Sequence, residues 1–451
     1  MAMSVIAPAQ DAPAFRYQPA LRPVVVLPRV ELNLPRADIA VPLAPTVTAT
    51  APRPRREATY VPLAIRRQRQ RNLSAPDAHD TFTLRVSDRV LAQLSIGFQS
   101  ELRFSDNITS APDPLAHADE VFEFTPVAHL SAGGLPGLQP DWSLEPEYYL
   151  DAIWAPTSHQ LLRAGESAFL EHLEIRAGRA TAVAHTGVRV AYHENQFASS
   201  GDSTTEENYA SLDVAPLFEY RTSAKTTLHV RGDYQRVTLD QPDGNRSEYS
   251  ADTGVDVEVS PKTTAGLGAV VAHLDFDDTR FGKQDYQQGY AALTWKATPK
   301  LTFRTQTGIE LREFHRPVPK PDGLTPVSVA VLDWRASETT RFAAAFRLQN
   351  QPSVAQGGAL FREMKYAVEA QHDFGTAFYA RGDAEYVERR YDSGRDELEL
   401  TLRPALGYQL NSGAWFDSVR FELFYQFRQR WNSDGPGYDR SQAGLQLTVF
   451  F

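Results

Sequence analysis

The chain contains no cysteine, so a disulfide framework, a thiolate metal site and a cysteine nucleophile are all excluded. No stretch approaches the roughly eighteen apolar residues that a membrane helix needs, which excludes helical membrane proteins. That exclusion leaves membrane barrels untouched, because their strands are only about ten residues long and half polar. Residues 1–80 hold no lysine; they carry eleven arginines against six acids. The remainder, 81–451, carries thirty-five basic and fifty acidic residues, so the net charge of −10 divides into +5 and −15. So acidic a body argues against nucleic acid as its partner. G-x-S-x-G, H-E-x-x-H and P-loop motifs are absent, and nothing implies an enzyme or a cofactor.

Twelve of the 30 prolines lie before residue 80, among Val, Leu, Ala and Arg, as in Pro23-Val-Val-Val-Leu-Pro28. A proline every few residues breaks helices and removes strand donors. Residues 1–80 therefore read as an extended, disordered arm with a basic cluster, Arg66-Arg67-Gln68-Arg69-Gln70-Arg71. Such a cluster suits a solvated linker or an anionic surface such as lipid headgroups or cell-wall polymer. Ala7-Pro8-Ala9 has the small-x-small form of a cleavage site, which reads as a signal-peptide remnant over 1–9.

From residue 81 the period of hydrophobicity becomes two. Ala443, Leu445, Leu447, Val449 and Phe451 alternate with Gln442, Gly444, Gln446 and Thr448. Val419, Phe421, Leu423, Tyr425 and Phe427 alternate with Arg420, Glu422, Gln426 and Arg428. Such alternation means strands with one apolar and one polar face. About eighteen strand candidates follow between 92 and 451. Their connections alternate between short turns, such as Ser260-Pro-Lys-Thr263 and Thr298-Pro-Lys300, and longer polar loops such as 275–285, 314–325 and 350–360. Short turns on one rim and long loops on the other are the outer-membrane barrel arrangement, with both termini on the periplasmic, short-turn side.

A soluble sandwich would also alternate. Strands of this length are long for a sandwich. The polar faces carry charges of both signs, as a water-filled lumen would. Trp142, Trp154, Trp295, Trp334, Trp415 and Trp431 sit near strand ends, where an interfacial girdle belongs. The sequence therefore predicts an all-β, transmembrane, antiparallel up-and-down β-barrel of about 18 strands over 81–451, in the bacterial outer membrane and in contact with its lipid.

The alternating tail Leu445, Leu447, Val449 and Phe451 resembles the signal by which the barrel-assembly machinery recognises outer-membrane proteins. A second resemblance rests on Phe104-Ser-Asp-Asn-Ile108, on the turns Ser-Pro-Lys-Thr-Thr and Thr-Pro-Lys-Leu-Thr, and on a mid-strand proline pattern. That pattern reads Leu212-x-Val214-x-Pro216-x-Phe218-x-Tyr220 and Leu400-x-Leu402-x-Pro404-x-Leu406-x-Tyr408, with looser copies around Pro126 and Pro146. Together these resemble the putative beta-barrel porin 2 family of bacterial outer-membrane barrels. The resemblance implies architecture, and for some relatives an association with exopolysaccharide export. Each mid-strand proline removes a ladder donor, so bulges or weak pairing are expected there.

Sixteen charged residues fall on the polar parity and are expected to line the pore: Glu101, Arg103, Arg231, Asp233, Arg304, Glu310, Arg347, Arg381, Asp383, Glu385, Glu397, Glu399, Arg403, Arg420, Glu422 and Arg428. Rings of charge set an electrostatic profile for solutes, while opposite charges on neighbouring strands pair as structural ladders. The mixture of signs predicts little ion selectivity. The proline-stiffened loop 314–325 is placed to fold inward as a constriction. Asp275-Phe-Asp277-Asp278 has calcium-binding residue types without the spacing or glycine of a calcium loop. His193-Glu194 and Ser199-Ser200 read as a polar outer loop. The expected function is a porin-like passive channel for small hydrophilic solutes. The alternatives are an accessory component of exopolysaccharide export or envelope assembly, reaching periplasmic or cell-wall partners through residues 10–80, and a plugged structural barrel.

Overall fold

The computed structural model describes residues 82–87, 90–106, 119–134, 141–154, 168–181, 183–197, 207–239, 245–278, 282–315, 323–352, 360–375, 377–392, 394–411, 418–433 and 437–450. The arm 1–80 with its 1–9 remnant, Ser199-Ser200, Trp415, most of 314–325 and Phe451 lie outside them. Every described element is a strand: β1 (Phe82–Ser87), β2 (Val90–Ser105), β3 (Asp119–Gly134), β4 (Asp141–Trp154), β5 (Ala168–Ala180), β6 (Ala184–Phe197), β7 (Glu207–Arg221), β8 (Thr226–Leu239), β9 (Arg246–Ser260), β10 (Thr263–Phe276), β11 (Lys283–Thr298), β12 (Leu301–Phe314), β13 (Gly323–Arg335), β14 (Thr340–Pro352), β15 (Leu360–Asp373), β16 (Phe378–Tyr391), β17 (Asp396–Asn411), β18 (Ser418–Asn432) and β19 (Tyr438–Phe450).

Each strand from β2 to β19 pairs antiparallel with its sequence neighbours, and β19 pairs back onto β2. The ring of eighteen is closed, as the alternation predicts. Following the register once around returns to β2 displaced by about 22 residues, which with strand spacing of about 4.8 Å gives a tilt of about 40° and a backbone diameter of about 35 Å. The short turns after β7, β9, β11, β13 and β15 lie on one rim, with the start of β2 and the end of β19. The longer connections lie on the other.

The seam has a feature the sequence pattern did not reveal. β19 covers only Gly97–Ser105 of β2, from Phe450↔Gly97 to Gln442↔Ser105. The short strand β1 covers the remainder, from Phe82↔Leu94 to Ser87↔Val90. Since β3 occupies the other edge of β2 along its whole length, β1 and β19 lie end to end on the same edge.

Alternation sorts side chains by face. Outward lie Leu102, Phe104, Leu267, Val271, Ile309, Leu406, Leu423 and Leu445, all exposed. In a closed barrel without a soluble covering layer, this is the surface that lipid solvates. Trp295 and Trp334 stand at its short-turn edge and Trp431 at its long-loop edge. The prolines behave simply. At Pro216 the β7–β8 ladder skips from Val214↔Tyr234 to Leu217↔Arg231, and at Pro404 the β17–β18 ladder skips from Leu402↔Phe427 to Ala405↔Phe424. Register is the same on both sides of each gap. The opposite edges stay paired, with Val188↔Pro216 and Gly382↔Pro404. The absent N–H therefore weakens one ladder without a bulge. The register shifts of the closed ring fall beside turns instead, at Thr263/Thr264 and Lys296/Thr298.

The inner face is not uniformly polar. Val327, Val329 and Val331 of β13 point inward, all buried, with Ala345 packed against them. Val270 and Ala272 of β10 form a second apolar stripe with Tyr286, Tyr290 and Ala292 of β11. β13 is apolar on both faces, so its inner side was invisible to a reading built on alternation.

Candidate functional site

Barrel closure brings one parity of every strand onto the concave side, where side chains converge and reach across two or three strands. Those on the convex side diverge. All sixteen charged residues expected on the polar parity are on the concave side. The longest run of ion pairs crosses β14 to β18. Arg347 donates to Glu363 at 2.5 Å. Arg389 stands 3.6 Å from Glu363, 3.5 Å from Glu397 and 3.4 Å from Glu399. Arg430 and Arg395 contact Glu397 at 2.5 and 2.8 Å, and Arg428 contacts Glu399 at 2.7 Å. The belt lies near the long-loop rim and its members are buried.

Nearer the short-turn rim, Glu422 on β18 accepts from Tyr379 at 2.9 Å and Arg381 at 3.2 Å, both two strands away on β16. Arg381 also stands 3.4 Å from Asp383. Lys365 reaches Glu385 at 2.5 Å and Arg304 reaches Asp333 at 2.8 Å. Arg403 lies over the ring of Phe424 at 4.0 Å and Arg420 over Tyr379 at 5.7 Å. On β2, Arg103 meets Glu101 of the same strand at 2.7 Å and Glu123 of β3 at 3.4 Å.

On the opposite wall, Tyr286 donates to Glu248 and Tyr290 donates to Asp252 at 2.7 Å. His229 meets the Tyr290 hydroxyl at 3.3 Å from three strands away. Arg312 donates to Glu310 at 2.8 Å and to Gln284 at 2.9 Å, with Asn350 donating to Glu310 at 2.9 Å. Arg231 contacts Glu219 at 3.1 Å, and Asp213 accepts from Gln235 at 2.8 Å. This sector, β7 to β9, carries Asp213, Glu219, Asp233, Glu248, Asp252 and Asp256 against Arg231 and Arg246, and is the acidic side of the lumen.

His193 is not in an outer loop but on β6. It is buried, with Nδ1 3.1 Å from Nδ1 of His172 on β5. One ring donates and the other accepts, so at least one of the two is neutral in this arrangement. Glu194 accepts from the Tyr192 hydroxyl at 2.7 Å. Asp275 contacts Lys283 at 2.8 Å and Asp277 pairs with Arg236, whose hydrogen bond holds the Asp277 carboxyl below its ordinary range. Among the described residues no group of three or more possible metal ligands occurs. Residues of this wall outside the expected sixteen are Glu363, Arg389, Arg430, Glu248 and Asp252, together with Arg312, which falls on the polar parity of its strand beside Glu310. Their strand neighbours carried the signal, but partners two strands away appear only once register is fixed.

Four inner glycines serve the large rings. Each directly faces one across a strand pair: Gly254 and His229, Gly268 and Tyr290, Gly407 and Tyr379, Gly444 and Phe424. A Cβ on Gly407 would lie 1.9 Å from the Tyr379 ring, and one on Gly268 would lie 2.3 Å from that of Tyr290. The rings therefore lie flat against the wall rather than across the lumen, as when an aromatic covers a strand glycine. Gly407→Val is expected to lever Tyr379 off the wall and break its bond to Glu422. We expect it to cost about 1–3 kcal/mol of stability in urea unfolding. Unchanged unfolding would show that the ring has room to spare.

Comparison with known proteins adds the following. Residues 323–450 match the model of a family described as putative beta-barrel porin 2. The matched stretch is β13 to β19 and contains the Leu400–Tyr408 proline pattern; the Leu212–Tyr220 copy lies outside it. Among solved structures, the outer-membrane protein OpdK of Pseudomonas aeruginosa is 11% identical, covers 79% of this chain and 99% of its own, and has a TM-score of 0.45. OccK9 (OpdG) of Pseudomonas aeruginosa is 11% identical over 80% and 98%, with a TM-score of 0.46. OccAB3 of Acinetobacter baumannii is 10% identical over 80% and 99%, with a TM-score of 0.44. Comparison with curated protein sequences yields no match.

Proposed function

We propose that the protein is a porin-like passive channel of the bacterial outer membrane that carries small hydrophilic solutes down their gradients. The observation that carries this is the closed ring of eighteen strands whose outer face is apolar between aromatic edges while its inner face is charged. Such a ring is wide enough for an aqueous path. The family match over β13–β19 supports the same reading. The short-turn rim, with the start of β2 and the end of β19, faces the periplasm in this arrangement. Solutes meet paired charges rather than a ring of one sign, so the mechanism is hydrated diffusion with weak ion preference.

Planar-bilayer recording of the purified full chain tests the proposal. Discrete conductance steps are expected, with a reversal potential near zero in a salt gradient. Bilayers that stay silent at voltages of either sign would overturn it.

A further inference from the structure

On the outer face near the long-loop rim, cations are placed in two ways. Arg236 of β8 pairs with Asp277, one residue past β10, and Lys283 of β11 pairs with Asp275 of β10. Arg362 of β15 is placed differently. Its exposed side chain makes no ion pair or hydrogen bond with any of the described residues. The residue directly opposite it on β16 is a second cation, Arg390. Directly opposed side chains stand about 5 Å apart at Cβ, and like charges so placed repel.

Arg390 is held in place. Its Nε and Nη2 both reach Oε1 of Glu388 at 2.5 Å, two residues nearer the middle of β16, which draws the guanidinium toward the apolar band. The other carboxylate beside it is Asp396 of β17, opposite Arg390 in register. Both acids therefore lie on the Arg390 side, and Arg362 is left unmatched.

The height of the pair on the wall says what surrounds it. Arg362 is two residues from the long-loop end of β15 and Arg390 one residue from that of β16, as Trp431 is on β18. The guanidiniums thus leave the wall at its aromatic edge, where hydrocarbon gives way to headgroups. Deeper on the same face, Phe346, Tyr366 and Tyr386 stand side by side on β14, β15 and β16, with ring centroids 5.0 and 6.3 Å apart. The Tyr366 hydroxyl is turned to Met364 Sδ at 3.4 Å, toward the long-loop rim. An amphipathic ring with its apolar body in lipid points its polar tip this way.

We propose that Arg362 and Arg390 clamp the phosphate of a lipid headgroup in the leaflet that meets the long-loop rim, with the lipid's chains lying over Phe346, Tyr366 and Tyr386. A guanidinium presents a planar fork of donors that matches phosphate oxygens, and a phosphate between the two forks replaces their repulsion with charge-assisted bonds. A dissolved anion would supply the charge but leave the aromatic row without a role, so the ligand is a lipid. The clamp rests on the membrane-barrel reading, not on conduction. In the orientation proposed above the leaflet is the outer one, so the probe is a phosphorylated glycolipid, lipid A.

The full chain, purified in non-ionic detergent, is titrated with lipid A bearing two phosphates and with the same lipid stripped of phosphate. Native mass spectrometry counts the bound lipid. We expect the phosphorylated form to bind about tenfold more tightly or better. Arg362→Gln and Arg390→Gln should each weaken that binding about fivefold. Arg236→Gln, which removes a cation that has its own carboxylate, should leave it unchanged. Equal binding of the two lipid forms would overturn the clamp, as would a double Gln variant that binds like the parent. Displacement of lipid A by inorganic phosphate would make this a free-anion site and overturn it too. Should a Gln variant unfold early, Arg362→Lys decides, since it keeps the charge and loses the fork: intermediate affinity supports the clamp and unchanged affinity counts against it. Binding in detergent is read without current, so failure of the clamp and failure of the channel are told apart.

Discussion

Arg389→Met is expected to lower the unfolding free energy of the barrel by about 3 kcal/mol, a factor of about 150 in the equilibrium constant. Arg389 is 1% exposed and, alone among the described residues, stands within 4 Å of all three of Glu363, Glu397 and Glu399. Without it, three buried carboxylates on β15 and β17 face one another across β16. Glu363 keeps Arg347, Glu399 keeps Arg428 and Glu397 keeps both Arg430 and Arg395, so the loss stays at the lower end of what breaking a buried pair costs. Urea unfolding in lipid vesicles measures it. Because the belt is buried, the loss should persist in high salt, whereas a surface pair would be screened. A loss below about 0.5 kcal/mol would mean that the belt is hydrated and contributes as little as exposed pairs do. Combining Arg389→Met with Glu399→Gln should cost less than the sum of the two, since the double variant removes a carboxylate left facing its like.

The second large effect separates a membrane barrel from any soluble one. Val271→Arg should destabilise by about 2–4 kcal/mol and Val259→Arg by about 0–1 kcal/mol. Both valines are outward and more than half exposed, 55% and 63%. They differ in depth: Val271 sits near the middle of β10, and Val259 is next to the last residue of β9 at the short-turn rim. In water the two substitutions would be alike and close to neutral. In lipid only the rim arginine can place its guanidinium among the headgroups. Equal effects would remove the membrane from the description.

Much of the architecture was legible in the sequence because side-chain parity survives closure. Leu445 and Gln446, or Phe421 and Glu422, fall on opposite faces whatever the register, so strand count, rims and the inner placement of all sixteen charges followed from alternation. Partnership did not. Whether Glu422 meets Arg420 beside it or Tyr379 and Arg381 two strands away depends on the stagger accumulated between strands, which no single segment encodes. β13 failed for a different reason: with Val on the inner parity and Leu324, Ala330 and Leu332 on the other, it has no alternation to read. The prolines were half legible. Their cost to the ladder was predictable, but which remedy the chain takes depends on the neighbouring strand, and here both sides of each gap keep one register.

The short strand at the seam has a consequence for how the ring closes. β1 and β2 are adjacent in sequence and can pair locally, whereas β19 meets β2 across more than three hundred residues and pairs late. When it does, part of the edge it seeks is already taken. Only Ser95 and Ile96 separate the end of β19 from the start of β1 along β2. A slip of β19 by more than two residues toward the start of β2 would run into Phe82. The first hairpin thus acts as a doorstop: it bounds the stagger at which the ring can shut, and with it the bore.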